Sequence, residues 1–178
     1  MALTARPDAD INNDGSWTDR EDTGAALYAQ INETSSVDTE YIFVIDEEAG
    51  MEELPCTVGL GDVTDPDGAS GTYKVVFRGK VDAEMGGGGQ TLQIKLLKGG
   101  AVKATSSAES LAETFGDFTH NLTSSEKTAC GDFSDLSVTI IAQDNSGAGD
   151  AMVCSSVYFE CPDAAAAATT HPFLLFVD

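Results

Sequence analysis

Thr91-Leu92-Gln93-Ile94-Lys95-Leu96-Leu97-Lys98-Gly99-Gly100-Ala101-Val102-Lys103-Ala104-Thr105 is the stretch that decides the fold. Leu92, Ile94 and Leu96 alternate with Gln93 and Lys95, the two-residue period that buries one face of a strand and wets the other. Gly99-Gly100 supplies the left-handed backbone that a tight hairpin loop requires, and Ala101 to Thr105 forms the returning strand. The reading is two antiparallel strands joined by a two-residue turn.

The same grammar extends in both directions. Upstream, Tyr73, Val75 and Phe77 alternate with Lys74, Arg78 and Lys80 in a long strand. Tyr41 to Ile45 and Leu54 to Leu60 are shorter apolar runs, the second with Pro55 near its start, where a strand tolerates proline. Downstream, Glu113 to Leu122, Leu136 to Ala142 and Ala151 to Cys161 follow, separated by Gly, Asp and Ser. Ala25 to Asn32 reads as a short strand or a helical turn, and Ser124 to Lys127 as a loop or turn of helix. The expectation is an all-β fold, an antiparallel β-sandwich of jelly-roll type with about eight strands. It divides into an N-terminal arm or edge segment (1–24), the sandwich domain (25–162) and a C-terminal arm or final strand (163–178).

The chain has 178 residues, with 30 acidic against 9 basic side chains and a formal charge of -21. That charge repels nucleic acid and anionic membranes, and no apolar run is long enough for a spanning helix. The start, MALTARPDAD, lacks the basic and apolar regions of an export signal, so synthesis without signal-directed export is expected. Cys56, Cys130, Cys154 and Cys161 form no CxxC pair, and the only histidines are His120 and His171. Zinc is therefore not expected, and the cysteines read as free thiols.

Asp10, Asn12, Asp14, Ser16, Thr18 and Glu21, with Gly15 at the bend, have the spacing of a calcium-binding loop. Pro7 and the short preceding segment leave no room for a flanking helix, so an Asx-rich turn anchored by Trp17 is the plainer reading. Asp62, Asp65 and Asp67, and likewise Asp144, Asn145 and Asp150, read as solvated acidic turns. Gly86 to Gly89 lacks the Lys-Ser/Thr ending of a phosphate loop. No nucleophile is spaced with a base, so no enzyme and no cofactor are expected, with calcium held as an alternative. Trp17 and Tyr28 are the candidates for stacking on a sugar ring. The apolar end of the chain, Phe173, Leu174, Phe176 and Val177, reads as an interface, either within this domain or against a neighbour.

Arg6-Pro7-Asp8, Gly15-Ser16-Trp17-Thr18, Ala26 to Glu33 and Tyr41-Ile42 together resemble a loose group of β-sandwich proteins. That group is encoded among the structural genes of tailed bacteriophages and prophages. The resemblance runs over most of residues 6–160, with Asn32-Glu33 where the group has Asp-Glu. It implies a virion protein assembled in the host cytoplasm. The expected role is a homo-oligomeric capsid decoration (cement) protein whose partners are the major capsid protein or other virion proteins. Two alternatives stand beside it: a tail-associated carbohydrate- or receptor-binding module, and a calcium-stabilised adhesion domain.

Overall fold

A computed structural model describes residues 3–33, 38–45, 53–63, 71–82, 89–144 and 150–162. Among them are β1 (Leu3–Ala5), β2 (Pro7–Asn12), β3 (Thr18–Asp19), α1 (Leu27–Gln30), β4 (Ile42–Ile45), β5 (Leu54–Leu60) and β6 (Lys74–Asp82). β7 (Gln90–Lys98), β8 (Ala101–Thr105), β9 (Glu109–Ser110), β10 (Gly116–Asn121), α2 (Ser124–Cys130), β11 (Leu136–Asp144) and β12 (Ala151–Cys161) complete the order.

The strands form two six-stranded sheets. The first runs β10-β6-β12-β4-β3, with β1 also on β12, and the second runs β2-β5-β11-β7-β8, with β9 also on β7. All pairings are antiparallel. The fold is the two-sheet antiparallel sandwich that the alternation predicts. The described strands number twelve rather than about eight, because β1, β2, β3 and β9 are too short or too polar to show a period. The opening segment places β2 on one sheet edge and β3 on the other.

The deciding hairpin forms as read: Lys98 faces Ala101, and Gly99 and Gly100 have φ of 56° and 76°. Ala25 to Asn32 resolves to the helical turn α1. Ser124 to Lys127 opens α2 through a capping box, in which Thr123 Oγ1 accepts from Glu126 N–H and the Glu126 carboxylate accepts from Thr123 N–H.

The inner faces fill the core. Val75 and Phe77 of β6, Leu92, Ile94 and Leu96 of β7, and Val138, Ile140 and Ala142 of β11 are all buried in one cluster. Phe133 stacks between Tyr73 and Phe159, with ring centroids 5.0 and 5.2 Å away. In β12 the apolar positions switch from 152 and 154 to 157, 159 and 161, a change of parity that would turn half the strand outward. A bulge between Cys154 and Ser156 absorbs the extra residue and keeps both halves facing inward.

Candidate functional site

The loop from β2 to α1 is built by its own polar side chains. Trp17 is 3% exposed, and its indole Nε1 donates to Leu54 O (2.9 Å), which fastens the loop to β5. Asn13 closes the turn from both sides, accepting from Trp17 N–H and donating to Trp17 O. Gly15 donates to Pro55 O, and a side chain there would collide with the Leu54-Pro55 backbone. Asp10 reaches across from β2 and accepts from Leu27 N–H and Tyr28 N–H, capping α1 where Ala26 offers no side-chain acceptor.

Asp19 organises the next turn. Its carboxylate, 2% exposed, accepts from the N–H groups of Glu21, Thr23 and Ala25 and from the Thr23 hydroxyl. The Thr23 backbone bond foremost, against the counter-effect of desolvation, holds its pKa below the usual carboxylate range.

Two clefts flank this turn. One, of about 320 Å³, is lined by Asp10, Asn12, Asn13, Trp17 and Thr18 among others, and the second, of about 300 Å³, by Arg20, Glu21, Gln30, Thr39 and Glu40. Both are lined in part by Asp19 and Ala25, so the two clefts adjoin at the β3 edge of the first sheet. The guanidinium of Arg20, in the second cleft, lies 5.9 Å from the Tyr41 ring centroid. Tyr41 in turn meets Phe115 (6.4 Å between centroids, tilted 52°), and Arg78 and Lys80 each lie 5.4 Å from the Phe115 ring.

The charges on this face are matched. Arg78 bonds Asp38 through Nε and Nη2 and Asp117 through Nη1, Lys80 pairs with Asp82, and Lys74 pairs with Glu160. The Arg78 side chain keeps the Asp38 carboxyl below its usual pKa, and Asp38 raises that of Arg78. The face is therefore rich in hydrogen-bonding groups, and Lys74, Arg78 and Lys80 each have a carboxylate partner.

The sequence-predicted site residues are spread over this region. Asp10, Asn12, Thr18 and Trp17 line the first cleft together, and Glu21 lines the second. Trp17 lines the cleft but is 3% exposed, and Tyr28 packs partly buried on the core. Asp10 and Asn12 stand in a strand, Asn12 donates to Asp14, and Thr18 donates to Asp22. Ser16 is exposed, with φ of 57°. Among the described residues no group of three or more His, Cys, Asp or Glu is arranged to hold a metal. Phe173, Leu174, Phe176 and Val177 lie outside the described residues, as do Asp65 and Asp67. Tyr41 and Phe115 were not singled out from sequence. Their signal was weak, an aromatic next to a strand end, and only the β4 and β10 positions bring them together.

The remaining reactive groups are spoken for. All four cysteines are buried, and burial pushes the Cys56 and Cys154 thiols up to about 12. His120 Nε2 lies 3.3 Å from Glu126 Oε1, part of the α2 cap.

No family model matches the sequence, and no curated protein matches it. Solved structures do resemble the fold. An apo cyclase from Fischerella sp. aligns with a TM-score of 0.50 at 13% identity, covering 92% of this chain and 98% of that one. A xylan-binding module, CBM15, aligns at 0.49 and 10% identity over 93% of this chain and 100% of its own. A CBM4 structure aligns at 0.42 and 16% identity, with 88% and 93% covered. At such identities the shared property is the sandwich fold.

These findings correct the bacteriophage reading. The similar structures include carbohydrate-binding modules of several families, and the named matches include no capsid or tail protein. The capsid-decoration role, the virion partners and the virion location fall with that resemblance. The physical reason is visible in the residues that carried it. Arg6-Pro7 joins β1 to β2, Trp17 is core, and Ala26 to Glu33 contains α1, so the run encodes folding of a sandwich edge rather than assembly of a particle.

Proposed function

We propose that the chain is a non-catalytic carbohydrate-binding module that holds a neutral glycan along the β3-edge clefts. The observation that carries this reading is the adjacency of the two polar-lined clefts, with Arg20 of the second lying over the Tyr41 ring beside Phe115. Sugar rings need both kinds of surface. Their hydroxyls donate hydrogen bonds to fixed carboxylates and both donate to and accept from amides and hydroxyls, and their C–H faces lie against aromatic rings. Asp, Asn, Thr, Gln and Glu supply the first along the clefts, and Tyr41 and Phe115 supply the second. A formal charge of -21 works against polyanionic chains, and Lys74, Arg78 and Lys80 of this face are already paired with carboxylates.

A glycan array probed with the purified chain tests the reading. Binding to neutral oligosaccharides, weakened in Tyr41→Ala and Phe115→Ala, is the expected result. Absence of binding to every glycan, or binding unchanged in both variants, overturns it.

A further inference from the structure

Three polar side chains occupy places where the strand alternation demands apolar ones. Gln90 shares the inward face of β7 with Leu92, Ile94 and Leu96, and Asp144 shares that of β11 with Ala142 and Ile140. Asp150, one residue before β12, has the same parity as the buried Met152. All three are 1% exposed, so the acidic turn expected to be solvated instead sends two carboxylates between the sheets. Gln90 and Asp144 are direct cross-strand partners. The Gln90 Nε2 donates to Asp144 Oδ1 (3.1 Å) and to Asp150 Oδ2 (2.9 Å), so both acids converge on one nitrogen.

Among the described residues, Asp150 Oδ1 is buried and accepts no hydrogen bond, and no Lys or Arg forms a salt bridge with Asp150. An ionised carboxylate in such a place is costly unless a cation or a proton joins it. Natural proteins break the apolar pattern of a core chiefly where the break has a use.

We propose that Asp144 and Asp150, with the side-chain amide of Gln90, form a buried site for one hard divalent cation of the calcium class. Two carboxylates and an amide offer oxygen donors, the set that hard cations take. A half-turn of the Gln90 amide exchanges its nitrogen for its oxygen at the point between the carboxylates. The bound ion ties β7 and β11 of one sheet to the start of β12 in the other. The site is separate from the Asp10–Glu21 loop and from the β3-edge clefts.

The test uses the full chain, freed of metal with EDTA, then titrated with calcium chloride by calorimetry and followed in thermal melts. Saturable binding of one ion per chain is expected, with Kd of roughly 10⁻⁵ to 10⁻³ M for so few charged ligands. The melting temperature should rise by about 5 °C or more at a hundredfold excess over Kd. D144N and D150N should each abolish both effects. D150N in EDTA should melt at or above the metal-free wild type, because the uncompensated charge is gone, and this readout holds apart loss of binding from loss of folding. A variant with both Asp10→Asn and Asp14→Asn should bind like the wild type. The proposal is overturned by absence of saturable binding, by binding that persists in both D144N and D150N, or by loss of binding in the loop variant alone. It is equally overturned if calcium has no effect while acidification toward pH 5 stabilises the wild type, the signature of a proton shared by the two acids.

Discussion

The two sheets share one core but turn different outer faces to solvent. The first sheet carries half-buried Tyr41, Phe43, Phe115 and Tyr158 on or beside its outer face. Five of the nine basic residues accompany them: Arg6, Arg20, Lys74, Arg78 and Lys80. On the corresponding face of the second sheet Gly59, Ser137 and Thr139 are buried and Gln93, Lys95 and Leu97 half-buried, with no aromatic among them and a Thr57–Thr139 hydroxyl bond of 2.8 Å across β5 and β11. Apart from Gln90, Asp144 and Asp150, inward positions obey one rule in both sheets, because burial decides them. Outward positions are free of that rule, and their contrast marks where a ligand has rings and hydrogen-bonding groups to meet.

The largest effect should come from the shared core and should not separate the faces. Phe159→Ala removes one member of the Tyr73–Phe133–Phe159 stack, and a fully buried Phe lost to Ala costs about 3–5 kcal/mol. Urea unfolding is the check; a loss below about 1 kcal/mol would show that the stack is loosely packed. Gly79→Ala should cost less, about 1–3 kcal/mol by overpacking. Its added Cβ would stand 2.5 Å from Leu92 Cδ1 and 2.8 Å from Val153 O, so one sheet must shift.

Surface changes should separate the faces. Phe115→Ala is expected to weaken glycan binding about tenfold while leaving the urea midpoint nearly unchanged, as for an aromatic anchor at an interface. Thr139→Val should do the reverse, costing roughly 0.5–1.5 kcal/mol of stability by deleting one hydroxyl bond and leaving affinity intact. Equal losses of affinity in both variants would erase the distinction between the faces.

The smallest effect is that of acid. Lys98 and the Ser134 hydroxyl and N–H hold Asp132 at about 2, and Asp19 is also lowered. A depressed folded-state pKa means stability that is present above the unfolded value and lost as pH falls through the folded one. Between about pH 4 and pH 2 the melting temperature should therefore fall. Asp132→Asn should flatten that fall slightly, measurable as a shallower slope of melting temperature against pH.

Much of this architecture was legible in the residues. The ends of β5 and β12 follow from apolar runs stopped by Gly61 and Pro162, and Gly99-Gly100 specified the turn into β8. β1 and β2 were hidden because Leu3 to Asn12 is mostly polar, and such a strand is held by backbone pairing to β12 and β5 rather than by its own period. The site was less legible. Trp17 stood out as the lone tryptophan, yet its indole is spent on Leu54 O, and the ring pair came from Tyr41 and Phe115, 74 positions apart and joined only by tertiary contact. The Gln90, Asp144 and Asp150 cluster was visible as polar residues at inward parity, but reading parity at strand ends requires knowing where the strands stop.

The most direct test of the binding face is an amide hydrogen-exchange map, with and without a saturating neutral oligosaccharide selected from the array. The account predicts new protection confined to the β3 edge, over residues 18–31, 39–43 and 115–117, with the outer face of the second sheet unchanged. Protection centred instead on β5, β7 and β11 would contradict it.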